Sequence, residues 1–115
     1  MLHADNYYRV TLPRRAVEMI DHDVLNAVTK AAGGVSVTRS NGQWFDDDGE
    51  LHEDINDVFQ WNFNRLRDRD VIERVRDLIT EVFVATDEKS VMVESVLMAA
   101  YICSIVYPTD SLNYL

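Results

Sequence analysis

Seven acidic residues fall within twelve positions in the middle of the chain: Asp46, Asp47, Asp48, Glu50, Glu53, Asp54 and Asp57. Carboxylates at this density can bind a divalent cation, engage a basic partner, or keep a hairpin solvated and protect its edge. A calcium loop needs a glycine at its sixth position. Placing Gly49 there makes Trp44 the first ligand and Ile55 the last, and neither side chain carries an oxygen. We therefore predict no metal site and interpret the first six acids as a candidate partner-binding surface.

A second candidate site would hold a small anionic ligand, and it comprises Arg9, Arg39, Trp44 and Asp57. Arginine pairs with phosphate through two parallel hydrogen bonds, and an aromatic ring can stack against a base. Asp57 shares an otherwise apolar strand face with Glu53, so either carboxylate needs a cation, such as Arg39, or serves as a general base. Exposed arginines that pair with nearby acids are the simpler interpretation, so this set is the alternative ligand-binding site.

The sequence contains no motif for catalysis or for cofactor binding. His3, His22 and His52 do not have the spacing of metal-binding histidines, and Cys103 lies in an apolar segment. Glycine-rich phosphate loops and the nucleophile motif of hydrolases are also missing from the sequence. We predict no catalytic residue, no cofactor and no enzyme activity; a general base at Glu53 or Asp57 is the third alternative.

The charge of the chain limits the classes of partner that it can bind. The net charge is −9, and residues 1–40 hold five of the 11 basic groups but only four of the 20 acidic ones. Such an acidic remainder repels duplex DNA and anionic membranes, since phosphate binding depends on Lys and Arg. The single cysteine excludes an internal disulfide, and no basic, apolar leader segment opens the sequence. The longest apolar stretch is about half the ~20 residues that a membrane helix needs, so we expect a cytoplasmic protein.

Hydrophobic periodicity predicts four strands and two helices in the order strand, helix, strand, strand, helix, strand. The predicted strands are 7–12, 35–38, 51–63 and 90–96. Asn41-Gly42 is a strong hairpin signal, and residues 46–49 form a second predicted turn.

The two predicted helices have apolar stripes with spacings of three and four residues. The first runs from Arg14 to Ala32 and ends at Gly33-Gly34. The second is capped by Asp68 or Asp70, and its stripe predicts Val75, Leu78, Ile79 and Val82 in the core. Residues 97–106 form an additional apolar segment whose periodicity does not separate strand from helix.

This order of elements is typical of an α+β, ferredoxin-like βαββαβ fold, an antiparallel sheet with two helices on one face. We expect residues 1–115 to form a single domain. A hydrophobic fraction of 47% provides enough apolar residues for its core. One face of such a sheet has no helix against it. We therefore predict a homo-oligomer in which a second subunit or the apolar segment covers that face.

The turn-and-strand pattern in the middle of the chain resembles that of small αβ proteins, many of them encoded by phages. The pattern is Gly34-Val35-x-Val37-Thr38, Gly42-Gln43-Trp44 and Gly49-x-Leu51-x-Glu53, and the resemblance extends over residues 7–96. It is similar to an uncharacterised bacterial family with a G-x-T…G-x-W…G…E core. It is also similar to the phage family of Thoeris anti-defence sponges, which sequester cyclic ADP-ribose-type signals as oligomers. The resemblance implies a phage-encoded binding protein.

Charge and resemblance together favour a small non-enzymatic inhibitor that acts against a host defence or host process. In the first mechanism, the acidic surface occupies a basic, nucleic-acid-binding site on a host protein. In the alternative mechanism, an oligomer sequesters an anionic nucleotide signal in pockets lined by arginine and aromatic residues. The number of acids in the hairpin favours the first mechanism.

Overall fold

The computed structural model describes residues 6–115, except for the side chain of Arg65. Five antiparallel strands form one sheet. The elements are β1 Asn6–Pro13, α1 Arg14–Met19, α2 His22–Ala32, β2 Ser36–Phe45, β3 Leu51–Phe63, α3 Asp68–Ala85, β4 Val91–Leu97 and β5 Ala100–Val106. Short 3-10 turns cover Arg65–Arg67 and Leu112–Tyr114. The strand order is β2-β3-β1-β4-β5. Within the described residues, no helix is long and apolar enough to cross a membrane.

The core lies between one face of the sheet and the helices. Alternate residues of β1 and of the second half of β3 are buried, as the period of two in a strand requires: Tyr8, Val10, Leu12, Phe59, Trp61 and Phe63. The predicted stripe of α3 packs against them, and Val75, Leu78, Ile79 and Val82 are fully buried. The prediction of these core residues is therefore confirmed.

The predicted first helix is in fact two helices. Ile20 is extended, and Asp21 caps α2 by accepting a hydrogen bond of 2.9 Å from the Asp23 amide. The Asp21 amide donates to Glu81 of α3 at 2.8 Å. An aspartate at this position favours the start of a new helix over continuation of the first one. The apolar stripe alone does not reveal this break. The predicted end at Gly33 is correct, because this residue has a φ of +96° as the left-handed cap.

The start of α3 also differs from the prediction. Arg67, and not Asp68 or Asp70, is the capping residue, and it makes no side-chain cap. Asp68 is the first helical residue, where a negative charge complements the helix dipole. Its carboxylate accepts a hydrogen bond of 2.8 Å from the buried Asn6 side chain. Asp68 therefore ties the helix to the start of β1.

The hairpin turn predicted at Asn41-Gly42 is wrong. Both residues lie inside β2, opposite Ile55 and Asp54 of β3. The chain reverses only at residues 46–50, where Gly49 has a φ of +80°. Asp46 stabilises this later turn, because its carboxylate accepts hydrogen bonds from the amides of the turn, so the local signal at Asn41-Gly42 does not prevail.

The apolar segment 97–106 is a strand. It forms β5, which pairs with β4 through a two-residue turn of Met98 and Ala99, both with positive φ. The fold is thus α+β with five antiparallel strands and three helices. The order of this sheet differs from that of the predicted four-stranded ferredoxin-like arrangement, since β5 extends the sheet beyond β4.

Candidate functional site

The face of the sheet opposite the helices, which we call the open face, carries a connected group of polar side chains. Strand register places Arg9 of β1 beside Gln60 of β3 and Glu94 of β4. Glu94 in turn lies beside Cys103 of β5, and Tyr101 extends from the same strand. Because residues opposite one another in a ladder point to the same face, four strands contribute to one group.

Arg9 is the centre of this open-face cluster, which we define as Arg9, Gln60, Glu94 and Tyr101. Its guanidinium lies 3.2 Å from Oε2 of Glu94 and donates two hydrogen bonds to Oε1 of Gln60, at 2.9 and 2.7 Å. The same guanidinium lies 5.0 Å from the centre of the Tyr7 ring, within the range of a cation–π contact. These contacts hold Arg9 and Glu94 in fixed positions on an otherwise accessible surface.

Glu94 is the most enclosed charged group of the cluster. Its side chain is 13% exposed, compared with 31% for Arg9. Tyr101 donates a hydrogen bond of 2.7 Å to the carboxylate, which raises the pKa of Tyr101 to about 12. A carboxylate with one cation and one hydroxyl donor keeps a strong capacity to bind a further cation or donor.

Apolar and aromatic side chains surround the polar cluster. Met92, Tyr101 and Ile105 are each at least a third exposed, and Cys103 is exposed beside them. A charged pair within an apolar surround is typical of a site that binds an amphipathic small molecule or another protein subunit. Of the residues in this cluster, only Arg9 is among the site residues predicted from the sequence.

The six acids of the predicted partner-binding surface divide into two groups. The carboxylates of Asp46, Glu53 and Asp54 form hydrogen bonds within the hairpin. Glu53 accepts from Gln43 at 3.1 Å, and Asp54 accepts from the Trp44 indole at 3.0 Å. The other three, Asp47, Asp48 and Glu50, are exposed, and their carboxylates have no hydrogen bond or ion pair within the described residues.

Asp46 organises the turn. Its Oδ1 accepts from the amides of Asp48 and Glu50, each at 2.9 Å, and its Oδ2 lies 2.7 Å from Nε2 of His52. The hydrogen bond with His52 and those with the turn amides lower the pKa of the Asp46 carboxyl. Reversal of this charge would therefore disturb the turn as well as the surface.

The alternative set of Arg9, Arg39, Trp44 and Asp57 does not come together. Arg9 and Trp44 lie on the open face, whereas Arg39 and Asp57 are paired on the opposite face of the sheet. Along β3, the partners of Arg9 and Trp44 are eight residues apart, or roughly 26 Å at ~3.3 Å per residue. Arg39 lies opposite Asp57 as expected, but no ion pair joins them within the described side chains. Only Arg9 of this set belongs to the open-face cluster.

The structure also brings together three potential metal ligands that are not recognisable from their spacing in the sequence. Asp46, Glu50 and His52 present ligand atoms that all lie within 4.8 Å of one another. The strand–turn–strand path places them on one side of the hairpin end, a relation that linear metal motifs do not describe.

The chain has the fold of a phage SAM lyase. A structure of that lyase in complex with S-methyl-5′-thioadenosine matches with a TM-score of 0.60 at 14% identity, over 93% of this chain and 92% of the lyase. Its apo structure matches with a TM-score of 0.59 at 12% identity, over 96% of both chains. CutA from Synechococcus elongatus matches with a TM-score of 0.43 at 14% identity, over 99% of this chain and 87% of CutA.

No family model matches the chain, and no curated protein matches it. The two families named from the middle of the sequence are therefore not confirmed. The similarity to a phage protein agrees with the broader resemblance.

Proposed function

We propose that this protein is a phage-encoded protein that binds an adenosine-containing sulfonium compound of the S-adenosylmethionine class on its open face, and so withholds that compound from a host process. The proposal rests on one observation above all. A chain with the fold of a phage SAM lyase carries, on an uncovered sheet face, an Arg9–Glu94 pair surrounded by aromatic and apolar side chains. This ligand takes the place of the anionic nucleotide of the alternative hypothesis, whose predicted residues lie on two faces.

The chemistry of the pair matches the amino-acid end of such a ligand. S-adenosylmethionine has an α-carboxylate and an α-ammonium group close together, together with a sulfonium charge. Arg9 can pair with the carboxylate while Glu94 accepts the ammonium, so that the ligand exchanges into an ion pair that already exists. The net charge of −9 attracts a ligand whose total charge is positive.

The adenosine end requires an aromatic or apolar surface. Tyr101 is 57% exposed, and strand register places Tyr101 and Tyr7 on either side of Val96, with the Arg9 guanidinium over the Tyr7 ring. Stacking of a base on an aromatic ring contributes ~1–3 kcal/mol in nucleic-acid complexes. A thioadenosine has the same base and a neutral thioether, so it isolates this half of the interaction.

A site on a sheet face is open to water unless something covers it. We propose that a second copy of the chain covers the open face, as the exposed Met92, Tyr101 and Ile105 favour. Light scattering is expected to give a mass above the 13.3 kDa of one chain. A mass of one chain at all micromolar concentrations would contradict this part of the proposal.

Calorimetric titration tests the binding. The wild-type protein is titrated with S-adenosylmethionine and with S-methyl-5′-thioadenosine, and Glu94→Gln and Arg9→Ala are titrated in the same way. Loss of a charge-assisted hydrogen bond costs ~1.5–3 kcal/mol, or about 10- to 150-fold in affinity. We expect that loss for S-adenosylmethionine and a smaller one for the thioadenosine, which has no amino-acid end.

Arg15→Ala is the matched control, because Arg15 forms an ion pair of the same length, 3.2 Å, with Glu88 away from the open face. Its affinity for both ligands should equal that of the wild type. No heat from either ligand at millimolar concentration would contradict the proposal. Chromatography of the same mixtures for released S-methyl-5′-thioadenosine determines whether the ligand is also cleaved.

The acidic surface remains a second candidate because three carboxylates, those of Asp47, Asp48 and Glu50, extend into solvent at the hairpin end. Such a group can bind a basic site on a host protein, with an affinity that falls as salt is added. Replacing these three residues with Lys and keeping Asp46 leaves the turn hydrogen bonds in place. Unchanged ligand binding together with lost capture of a host protein would favour this mechanism over the open face.

A further inference from the structure

We propose that Asp46, Glu50 and His52 form a binding site for a divalent transition-metal ion at the end of the β2–β3 hairpin. This site is separate from the open-face cluster and does not depend on the proposed ligand. It is formed by a turn and the strand that follows it, and none of its members is a ligand in a linear metal motif.

The three side chains supply a mixed set of one imidazole nitrogen and two carboxylate oxygens. Oδ2 of Asp46 is 2.7 Å from Nε2 of His52, and Glu50 contributes an oxygen within 4.8 Å of both. Two ligands of one ion, each at ~2.1 Å, lie no more than ~4.2 Å apart. A tetrahedral ion holds its ligands about 3.4 Å apart, so the exposed Glu50 side chain has to move inward by up to roughly 1.4 Å, which its lack of other hydrogen bonds among the described residues permits.

The imidazole is already held in position. The Trp44 ring stacks on the His52 ring with centroids 4.4 Å apart and planes inclined by 16°. The indole is itself fixed by its hydrogen bond of 3.0 Å to Asp54. The stacked ring is therefore oriented before an ion binds, which is the role that outer hydrogen bonds have at other metal-binding histidines. Asp46 is likewise held by the two turn amides on its other oxygen.

The ligand set determines the class of ion. Calcium and magnesium bind to oxygen ligands and rarely use imidazole, whereas zinc, nickel and copper bind well to a histidine with carboxylates. The ion would replace the proton between Asp46 and His52, whose ligand atoms would separate from 2.7 Å to about 3.4 Å, and His52 would carry its proton on Nδ1. Water molecules complete the coordination, since the hairpin end is exposed.

Zn²⁺ titration by calorimetry, with the intact chain free of affinity tags, tests the site. Glu50→Gln and His52→Gln remove one ligand each and leave the backbone contacts of the turn. Loss of an outer partner alone lowers metal affinity about 10- to 100-fold, so we expect at least about a ten-fold loss in each variant. Asp47→Asn is the matched control, because it removes one charge from the same turn outside the set.

Ni²⁺ provides a second measurement through Trp44. Paramagnetic ions quench a nearby indole, and Trp61, the other tryptophan, is fully buried in the core. We expect Ni²⁺ to quench the wild type and to leave Trp44→Phe unchanged. The proposal is overturned if Zn²⁺ gives no binding at millimolar concentration, or if Glu50→Gln and Asp47→Asn weaken binding equally, which diffuse charge alone would cause.

Discussion

The Tyr101 hydroxyl donates a hydrogen bond of 2.7 Å to Oε2 of Glu94, the same oxygen that pairs with Arg9. The phenol and the guanidinium thus converge on one carboxylate oxygen from two different strands, β5 and β1. The hydrogen bond to Glu94 stabilises the neutral phenol, and repulsion between the carboxylate and a deprotonated phenol adds to this effect, so the pKa of Tyr101 rises to about 12. This relation makes the hydroxyl a spectroscopic probe of the proposed site.

Replacing Glu94 should lower the pKa of Tyr101. In Glu94→Gln, the negative charge is lost and the hydrogen bond from Tyr101 is weakened to one with a neutral amide oxygen, so the pKa of Tyr101 should fall from about 12 towards 10.0. The absorbance of tyrosinate at alkaline pH measures this pKa. The titration curve of Tyr101→Phe is subtracted, because burial also raises the pKa of Tyr8 to about 12. An identical Tyr101 titration in wild type and Glu94→Gln would contradict the hydrogen bond.

The same shift has a consequence for stability at high pH. Because the folded-state pKa of Tyr101 is raised, its contribution to stability is complete below pH 10 and is lost as the pH rises through 12. Tyr101→Phe should therefore reduce the fall in the free energy of unfolding over this range. Urea unfolding at several alkaline pH values provides the measurement.

Leu78 tests the core. It is fully buried beneath the sheet, and Leu78→Ala should lower the free energy of unfolding by roughly 2–5 kcal/mol through lost burial and a cavity. Leu66→Ala, at a leucine that is 93% exposed, should change it by less than ~0.5 kcal/mol. Similar denaturation midpoints for the two variants would mean that α3 presents a different face to the sheet.

The turn between β4 and β5 is strained at Ala99. Its φ of +65° is in the left-handed region, and Met98 before it has a φ of +52°. The left-handed backbone costs a non-glycine residue ~1–2 kcal/mol, part of which the extra freedom of unfolded glycine offsets. Ala99→Gly should therefore raise the free energy of unfolding by about 0.5–1 kcal/mol, whereas Ala100→Gly, in the strand, should lower it. Thermal melts that show loss of stability in both variants would contradict this turn geometry.

Asp46 should make the hairpin sensitive to acid. Its pKa is lowered below the usual 3.8 by His52 and by the turn amides. Its contribution to stability is therefore present above pH 3.8 and lost as the pH falls through the lower folded-state value. NMR titration of the Asp48 and Glu50 amides should report this transition in the wild type and in Asp47→Asn, but not in Asp46→Asn. A transition that persists in Asp46→Asn would assign it to another acid.

Elements with a strong local pattern could be predicted from the sequence. The stripe of α3, the long β3 with its mostly apolar odd positions, and the glycine end of α2 all follow from spacings within one segment. The errors arose where a side chain or a neighbouring strand decided the outcome. Asp21 starts a new helix, and Asp46 moves the turn away from Asn41-Gly42. The periodicity of residues 97–106 left strand and helix open, and pairing with β4 makes a strand of residues 100–106.

The candidate site was less predictable for a physical reason. Arg9 and Glu94 are 85 positions apart, and they meet because β1 pairs with β4; the pairing of β1 with β3 adds Gln60. The alternation of residues in β1 did place Arg9 opposite the buried Tyr8 and Val10 face. The predicted strand 90–96 contains Glu94, but the sequence carries no signal for the register that sets Glu94 beside Arg9.

The location of ligand binding tests the central claim most directly. Amide NMR spectra of the protein are recorded as S-methyl-5′-thioadenosine and then S-adenosylmethionine are added. We predict that both ligands shift signals of Arg9, Glu94 and Tyr101, and that S-adenosylmethionine shifts those of Arg9 and Glu94 more strongly. Shifts confined to the 46–50 turn, or no shifts at millimolar ligand, would contradict a binding site on the open face.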